Sequence, residues 1–530
     1  MLKLTSRLGV AAGVAVLAGA ATVDGAIIGE AVLASATDPV GDRRDIVVLE
    51  QGGTALNAAY VRDGQANPFG EPVLNPQSGL AVQVTAGNLI SGTPGFGQQV
   101  EWLWGSATGG TGDSIDGPIL GAASSVAPSI GFANDGSVFL EVANPEGVSA
   151  NPAEVQRRDG STVTTLTVGD SLAGGTLSLI GAVRSDDAGQ VTLTARINDG
   201  GATDRPGLYY QPSGSAFAAI VEAGDAISGV AGATIARNEA ASGGGLQTAT
   251  FANEYAVVDA STYIVEAGID TTGDGIAEGM GIVVSGAIAT ADGLPLLAGE
   301  PVAGGRTNVE VVISGDVSDN DPPVVTEFRD ERWDFFRSSD INAGGQWILS
   351  AVSNLDATAP DDTPINGNYL VRNGSIDTTV VDPLDSAQAD RDLEAVAIND
   401  DGDFAFVYGE ALYINNVLVL DTNGNSDFQI AVENMAGGTD AVTLDRLLAL
   451  GNALALTDRD ANDQVIAYLA AADNADLSGS LQDNKYLVAV PYVIPEPTAL
   501  AILGLGCIAL ATGRRRPSQH SATAASVSID

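Results

Sequence analysis

The sequence has almost no sulfur and almost no imidazole. Among 530 residues there is one cysteine, Cys507, and one histidine, His520. A lone cysteine excludes a disulfide framework within the chain. A Ser-His-Asp or Cys-His catalytic site needs a histidine inside the fold, and His520 lies ten residues from the C-terminal residue. Tetrahedral zinc sites usually draw on His and Cys, so they are excluded with it. Lysine is confined to Lys3 and Lys485, and aromatics make up 5% of the residues. Asp plus Glu number 67 against 23 Lys plus Arg, a net charge of −44. A body this acidic repels phosphate backbones and anionic lipid, which argues against nucleic acid as a partner. The chemistry left to it runs on carboxylates, Arg or Tyr. Any metal site would be built of oxygen, which favours calcium.

Glycine is plentiful, at 65 residues, and 45% of the chain is apolar. Length alone allows about three domains of roughly 150 residues. Solenoids, propellers and sandwich arrays also reach this size as one repeated body.

The two ends read as addresses. Lys3 and Arg7 precede the apolar run Leu8–Ala18, and small residues follow at Gly19 and Ala20. That order predicts a secretory signal helix over 1–21. At the other end, Pro495-Glu496-Pro497 is followed by sixteen uncharged residues, Thr498–Gly513, and then by Arg514-Arg515-Arg516. Sixteen helical residues span about 24 Å, slightly short of a bilayer core of about 30 Å. The arginines would stay on the cytoplasmic side. The two prolines stop a helix from running back into the preceding chain.

This order resembles the PEP-CTERM sorting signal of Gram-negative bacteria, over about Ile494–Arg516. The tail Pro517–Asp530 departs from the family pattern, whose members usually end soon after the basic cluster. The resemblance implies a transient transmembrane anchor. It also implies an exosortase-type sorting protease as partner, cutting near Pro-Glu-Pro, and a cell-surface or exopolysaccharide-matrix destination.

Between the ends the chain alternates short apolar runs with Gly/Asp/Asn turns, which is a strand pattern. The clearest unit is Ala397–Tyr408, read as strand, tight turn, strand. Asn399 caps the turn and Gly402 supplies positive φ. Phe404, Phe406 and Tyr408 fall on one face, with Ala405 and Val407 on the other. The strands Ala411–Ile414 and Val417–Leu420 follow, joined by a two-residue Asn415-Asn416 turn.

The turn recurs at Asn342–Gly345, at Asp186–Gly189 and, shifted by one, at Asn134/Gly136. Weaker copies are placed at Gly79, Gly244 and Asp460–Asp463. A second marker repeats as Gly169-Asp170, Gly224-Asp225 and Gly299-Glu300, with turn capping as its simplest role. The period is about 55 residues: Gly189 to Gly244 spans 55, and Gly345 to Gly402 spans 57. The long gap between Gly244 and Gly345 is assigned to insertions near Asp270–Met280 and Gly305–Trp333.

This pattern predicts an all-β, propeller-like body of about seven four-stranded blades. One copy, Asn399-Asp-Asp-Gly402-Asp-Phe-Ala405-Phe406, resembles the tandem NxxGxxAF repeats of bacterial surface proteins. The others match in part, since Gly345 is followed by Ile348-Leu349. The organisation expected is a signal peptide over 1–21, a linker over 22–44 and the body over 45–492. The sorting signal with its transmembrane helix follows over 493–516, and a tail over 517–530.

Two loops space oxygens as calcium loops do. Asp270, Thr272, Asp274 and Gly275 match positions 1, 3, 5 and 6 of an EF-hand-type loop, and Glu278 follows. Asp421, Asn423 and Asn425 repeat the 1, 3, 5 spacing without the glycine. Both also suit an acidic surface turn. Trp102 and Trp104 share one strand face and suit either core packing or stacking on a sugar. Trp333, Phe335 and Arg337 lie at the edge of the second insertion, where loops carry specificity.

Function then divides three ways. The first expectation is an exported, non-catalytic surface or matrix protein with structural or binding duty. A carboxylate-based glycan hydrolase or lyase is the alternative, since glycosidases need only two carboxylates about 5–10 Å apart. Between them stands calcium-dependent binding of extracellular polysaccharide. An Asp/Glu/Arg/Tyr cluster in the central channel would favour the enzyme.

Overall fold

The structure is a computed structural model. It describes strands between Val32 and Asn144 and most of the chain from residue 152 to Pro495. Residues 1–31, 496–530 and several connections lie outside the described residues, so neither the signal helix nor the transmembrane helix is among them.

Every regular element described is a β-strand. Among the described residues, seven sheets of three or more antiparallel strands follow one another along the chain. Their innermost strands are Arg44–Gly52, Ile130–Phe132, Gly175–Ser185, Phe251–Asp259, Arg332–Ile341, Leu393–Ile398 and Leu454–Leu456. Each packs beside the next, and Leu454–Leu456 packs beside Arg44–Gly52, so the ring closes. The fold is therefore propeller-like, and the sheets are numbered here as blades 1 to 7 in chain order. Among the described residues, blades 5 and 6 have the expected four strands, blade 1 has three and the others five. The extra strands are mostly short, as at Ser171–Leu172 and Thr234–Ile235.

Alternation along a strand is what holds the ring together. In Phe404–Tyr408 the odd-face and even-face residues enter different clusters. Phe404, Phe406 and Tyr408 pack with Ile348 and Leu370 of blade 5. Ala405 and Val407 pack with Leu454, Val465 and Val490 of blade 7. Burial of each Phe or Val side chain here contributes about 1.5–3 kcal/mol. The apolar layers thus lie between neighbouring blades, and a blade taken alone would expose both faces.

The first-to-second-strand turns form one face of the ring, called the turn face. Asn399 Oδ1 accepts from Asp403 N at 2.8 Å, closing the turn as the motif suggests. Gly402 takes φ +82°, and Asn415 and Asn416 take +49° and +64°. The same side chain reaches onward: Asn399 Nδ2 donates to Thr457 O of blade 7 at 2.7 Å. Asp170 and Asp225 cap as expected, accepting from Thr167 N and Glu222 N at 2.8 Å each.

Four sequence expectations need correction. Gly79 is not at a turn, because it lies inside Pro76–Thr85 and pairs with Val61. Gly244 turns a separate hairpin, Asn238–Ala240 with Leu246–Thr248. The true turn of blade 4 is at Asp259, whose Oδ1 accepts from Ser261 N and Thr262 N. The first insertion is therefore that hairpin, and Asp270–Glu278 is the ordinary connection between the second and third strands. Last, the linker over 22–44 is partly structural. Val32–Ser35 pairs antiparallel with Lys485–Val493 as a strand of blade 7, so the two ends of the body share one sheet. The second insertion does fall where expected, as the hairpin Val309–Ile313 with Val325–Arg329.

Candidate functional site: an acidic loop on the loop face

The connections between second and third strands lie at the opposite end of the blades from the turns, on what is called here the loop face. In blade 4 the strand Thr262–Asp270 runs from the turn face to this end, and Gly279–Val284 returns. Gly273 and Gly275 take φ of +82° and +81°, a left-handed conformation that side-chain-bearing residues rarely adopt, and they fold the loop back on itself.

The loop then wraps around Asp270. Its Oδ1 accepts from Thr272 N at 3.0 Å and Gly273 N at 2.6 Å, and its Oδ2 from Gly275 N at 2.7 Å. Asp270 is buried while Asp274 and Glu278 are exposed. Burial works to raise the Asp270 carboxyl, but the N–H groups of Gly273, Gly275 and Thr272 outweigh it and hold the group below its ordinary value. Glu278 closes the loop from the far side, accepting from Thr271 N at 2.6 Å. One carboxylate oxygen from each of Asp270, Asp274 and Glu278 lies within 4.8 Å of the others. Three of the four residues named for this loop are thus brought together as acceptors. Thr272 is not, because its hydroxyl donates to Asp270 Oδ1 at 3.4 Å. Three convergent carboxylate oxygens can hold a hard divalent cation, with water or other oxygens completing the shell.

Sequence reasoning missed the buttress beside the loop. Asn238, at the start of the inserted hairpin, donates from its backbone N to Gly275 O at 3.0 Å and accepts from Ala277 N at 2.8 Å. Thr203 donates through Oγ1 to Asn238 Oδ1. Arg237 pairs with Asp199, whose carboxyl is held well below the usual range by the guanidinium hydrogen bond. The connections of blades 3 and 4 are thereby tied through one hairpin. Arg237 is 38 residues from Asp199, and nothing in either local pattern announces the pairing.

The second candidate loop is not assembled among the described residues. Asp421 ends the strand Val417–Asp421, while Asn423 and Asn425 lie outside the described residues. Trp102, Trp104, Glu496, Pro497, Arg514, Arg515 and Arg516 also lie outside them.

Residues suspected around the second insertion have structural work. Trp333 is buried edge-on to Tyr369, with ring centroids 5.1 Å apart. Arg337 pairs with Asp392 at 2.9 Å and lies over the exposed Phe335 ring at 5.3 Å. The base of the inserted hairpin is clamped by Arg306 and the buried Glu331. Arg306 Nε donates to Glu331 Oε2 and Nη2 to Oε1, each at 3.0 Å. Burial would raise Glu331, but Arg306 and then Ser353 hold it below its ordinary value.

No protein family matches the sequence, and no curated protein matches it. Among solved structures, the polysaccharide lyase Uly1 aligns at 9% identity over 84% of this chain and 89% of its own, with a TM-score of 0.38. The Penicillium chrysogenum α-L-arabinanase aligns at 12% identity over 69% and 92%, with a TM-score of 0.29. A Mycobacterium tuberculosis puromycin-hydrolysing peptidase aligns at 11% over 89% and 57%, with a TM-score of 0.32. At such identities none of them speaks to activity.

Proposed function

We propose that this is an exported, non-catalytic cell-surface or matrix protein: a propeller-like body delivered by a cleavable C-terminal anchor. The observation that carries the reading is where the body ends. Ile494 is still part of it, buried, with its N–H donating to Asp463 O at 2.8 Å. The next residue, Pro495, is exposed. The Pro-Glu-Pro sequence therefore begins two residues past the last residue of a strand that is paired on both sides, with Gln464–Ala472 and with Val32–Ser35. A protease acting there would remove none of the described strands of the ring.

Three partly buried carboxylates are committed to structural work: Asp270, Glu331 and Asp403 each serve as acceptors for backbone N–H groups or for Arg, and all three are held below their ordinary values. The opposite displacement, which an acid catalyst needs beside an ionised partner, occurs at Glu266 and Asp340, both pushed up to about 7 by burial. Calcium-assisted binding is a second reading, favoured by the convergence of Asp270, Asp274 and Glu278.

The test is the replacement of Pro495, Glu496 and Pro497 together by Ala in a cell that has the sorting protease. The mutant is expected to stay at full length in the membrane fraction while the wild type is shortened and released. Normal release of the mutant would refute the sorting reading.

A further inference from the structure

We infer that, while anchored, the body stands with its turn face toward the lipid and its loop face outward. The inference rests on the anchor reading above and adds an orientation that reading lacks. The strand Lys485–Val493 runs from the loop face to the turn face, and its last residue pairs with Gln464 at the start of the second strand of blade 7. Ile494 is then fastened to Asp463 O, inside the first-to-second-strand turn of that blade. The last described residues, Ile494 and Pro495, thus lie on the turn face, and the anchor reading continues from there. From Ile494 to Thr498, where the uncharged stretch begins, is four residues. Four extended residues reach at most about 14 Å. The nine residues of Lys485–Val493 separate the two faces by about 30 Å, more than twice that reach.

Around the exit point the turn face is joined from blade to blade, so the exit orients the turns of blades 5, 6 and 7 together. Asn342 Nδ2 donates to Asn399 O, and Asn399 Nδ2 to Thr457 O, each at 2.7 Å. Ala343 N donates to Asp400 Oδ1 and Asp400 N to Asp458 Oδ1, at 2.9 and 3.0 Å. The turns of blades 5, 6 and 7 are linked rigidly in a row. Asp400, Asp401 and Asp460 on this row are exposed, and their charge keeps the face from adsorbing on anionic lipid. The loop with Asp270, Asp274 and Glu278 and the clamped base of the second insertion point away, where a soluble ligand can reach them.

The experiment uses the exported chain with its uncleaved C-terminus, purified from a host without the sorting protease. Cys507 is replaced by Ala, and a single cysteine is placed at exposed Ala343 on the turn face or exposed Ala202 on the loop face. Each variant carries a donor dye and is reconstituted into zwitterionic vesicles bearing an acceptor on the lipid head group. Co-flotation with vesicles is read first, then energy transfer. The chains are expected to float, and because the faces differ in height by about 30 Å, transfer from Ala343→Cys should exceed that from Ala202→Cys about twofold or more. Ala461→Cys, in the turn of blade 7, stands in if Ala343→Cys unfolds at a lower temperature than its parent. Failure to float overturns the anchor reading and the orientation with it. Flotation with equal or reversed transfer overturns the orientation alone.

Discussion

Asn342 donates from Nδ2 to the backbone carbonyl of Asn399, 57 residues later, while its own Oδ1 accepts from Gln346 N at 2.9 Å. Asn399 repeats both bonds with Thr457 O and Asp403 N. An amide carries a donor and an acceptor on one short side chain, so it can close its own turn and fasten the next blade. Asp186 occupies the same place in blade 3 and closes its turn, accepting from Gln190 N at 2.7 Å. An ionised carboxylate has no proton to pass on.

Replacing Asn342 by Ala removes both bonds at a buried position. A net loss of about 2 kcal/mol is expected, read from urea unfolding. Asn342→Asp keeps the cap but sets a carboxylate against a carbonyl oxygen. It should be less stable than wild type at neutral pH and recover as pH falls, because the protonated carboxyl can donate again. Equal pH dependence of wild type and Asn342→Asp would show that the onward bond does not matter.

Glu266 gives a pH prediction of definite sign. Burial pushes its carboxyl up to about 7. A group whose value is raised by folding stabilises below its unfolded value and loses that contribution as pH rises through the folded one. Wild type should therefore lose stability between about pH 4 and pH 7. Glu266→Gln should flatten that part of the profile in thermal unfolding. Asp340, also pushed up to about 7 by burial against the N–H groups of Ile398 and Ile341, adds a slope of the same sign that the variant keeps.

The Arg306–Glu331 clamp should be costly to break from one side. Glu331→Ala leaves a guanidinium beside an emptied buried site and removes the acceptor for Arg306 N. A loss of about 3 kcal/mol is expected in chemical unfolding. The hairpin Val309–Arg329 should become the first site of limited proteolysis, because its base is no longer held. Cleavage elsewhere with the hairpin intact would place the weak point outside the clamp.

For the acidic loop the informative variant is Asp274→Ala. Asp270 is unsuitable, since its carboxylate caps three backbone N–H groups and its loss would unmake the loop itself. Weak calcium sites lie around 10⁻⁴ to 10⁻³ M, so about 10 mM calcium is expected to raise the wild-type melting temperature above its value in chelator. Asp274→Ala should show a smaller rise. An identical response in both would assign the effect to general screening of a highly negative chain.

The sequence by itself determined the strand class and the alternation, because these are local properties; the uniform period near 55 does not hold, since the turn of blade 4 lies at Asp259 and not at Gly244. The face that Phe404, Phe406 and Tyr408 share, the Asn415-Asn416 turn and the capping role of Asn399 were all readable over a few residues. So was the 1, 3, 5 spacing that brings Asp270 and Asp274 together, since one loop carries both. Gly79 and Gly244 misled for the same reason: a glycine marks local freedom, and only pairing partners decide whether it turns a blade, lies in a strand or tips an added hairpin. Tertiary structure alone decided the rest. That Val32–Ser35 completes the last blade, that Asn342 fastens Asn399, that Arg306 closes on Glu331 and Arg237 on Asp199 are all contacts between distant segments. Their side chains look ordinary in sequence because each bond depends on where the ring places its partner, not on any neighbour in the chain.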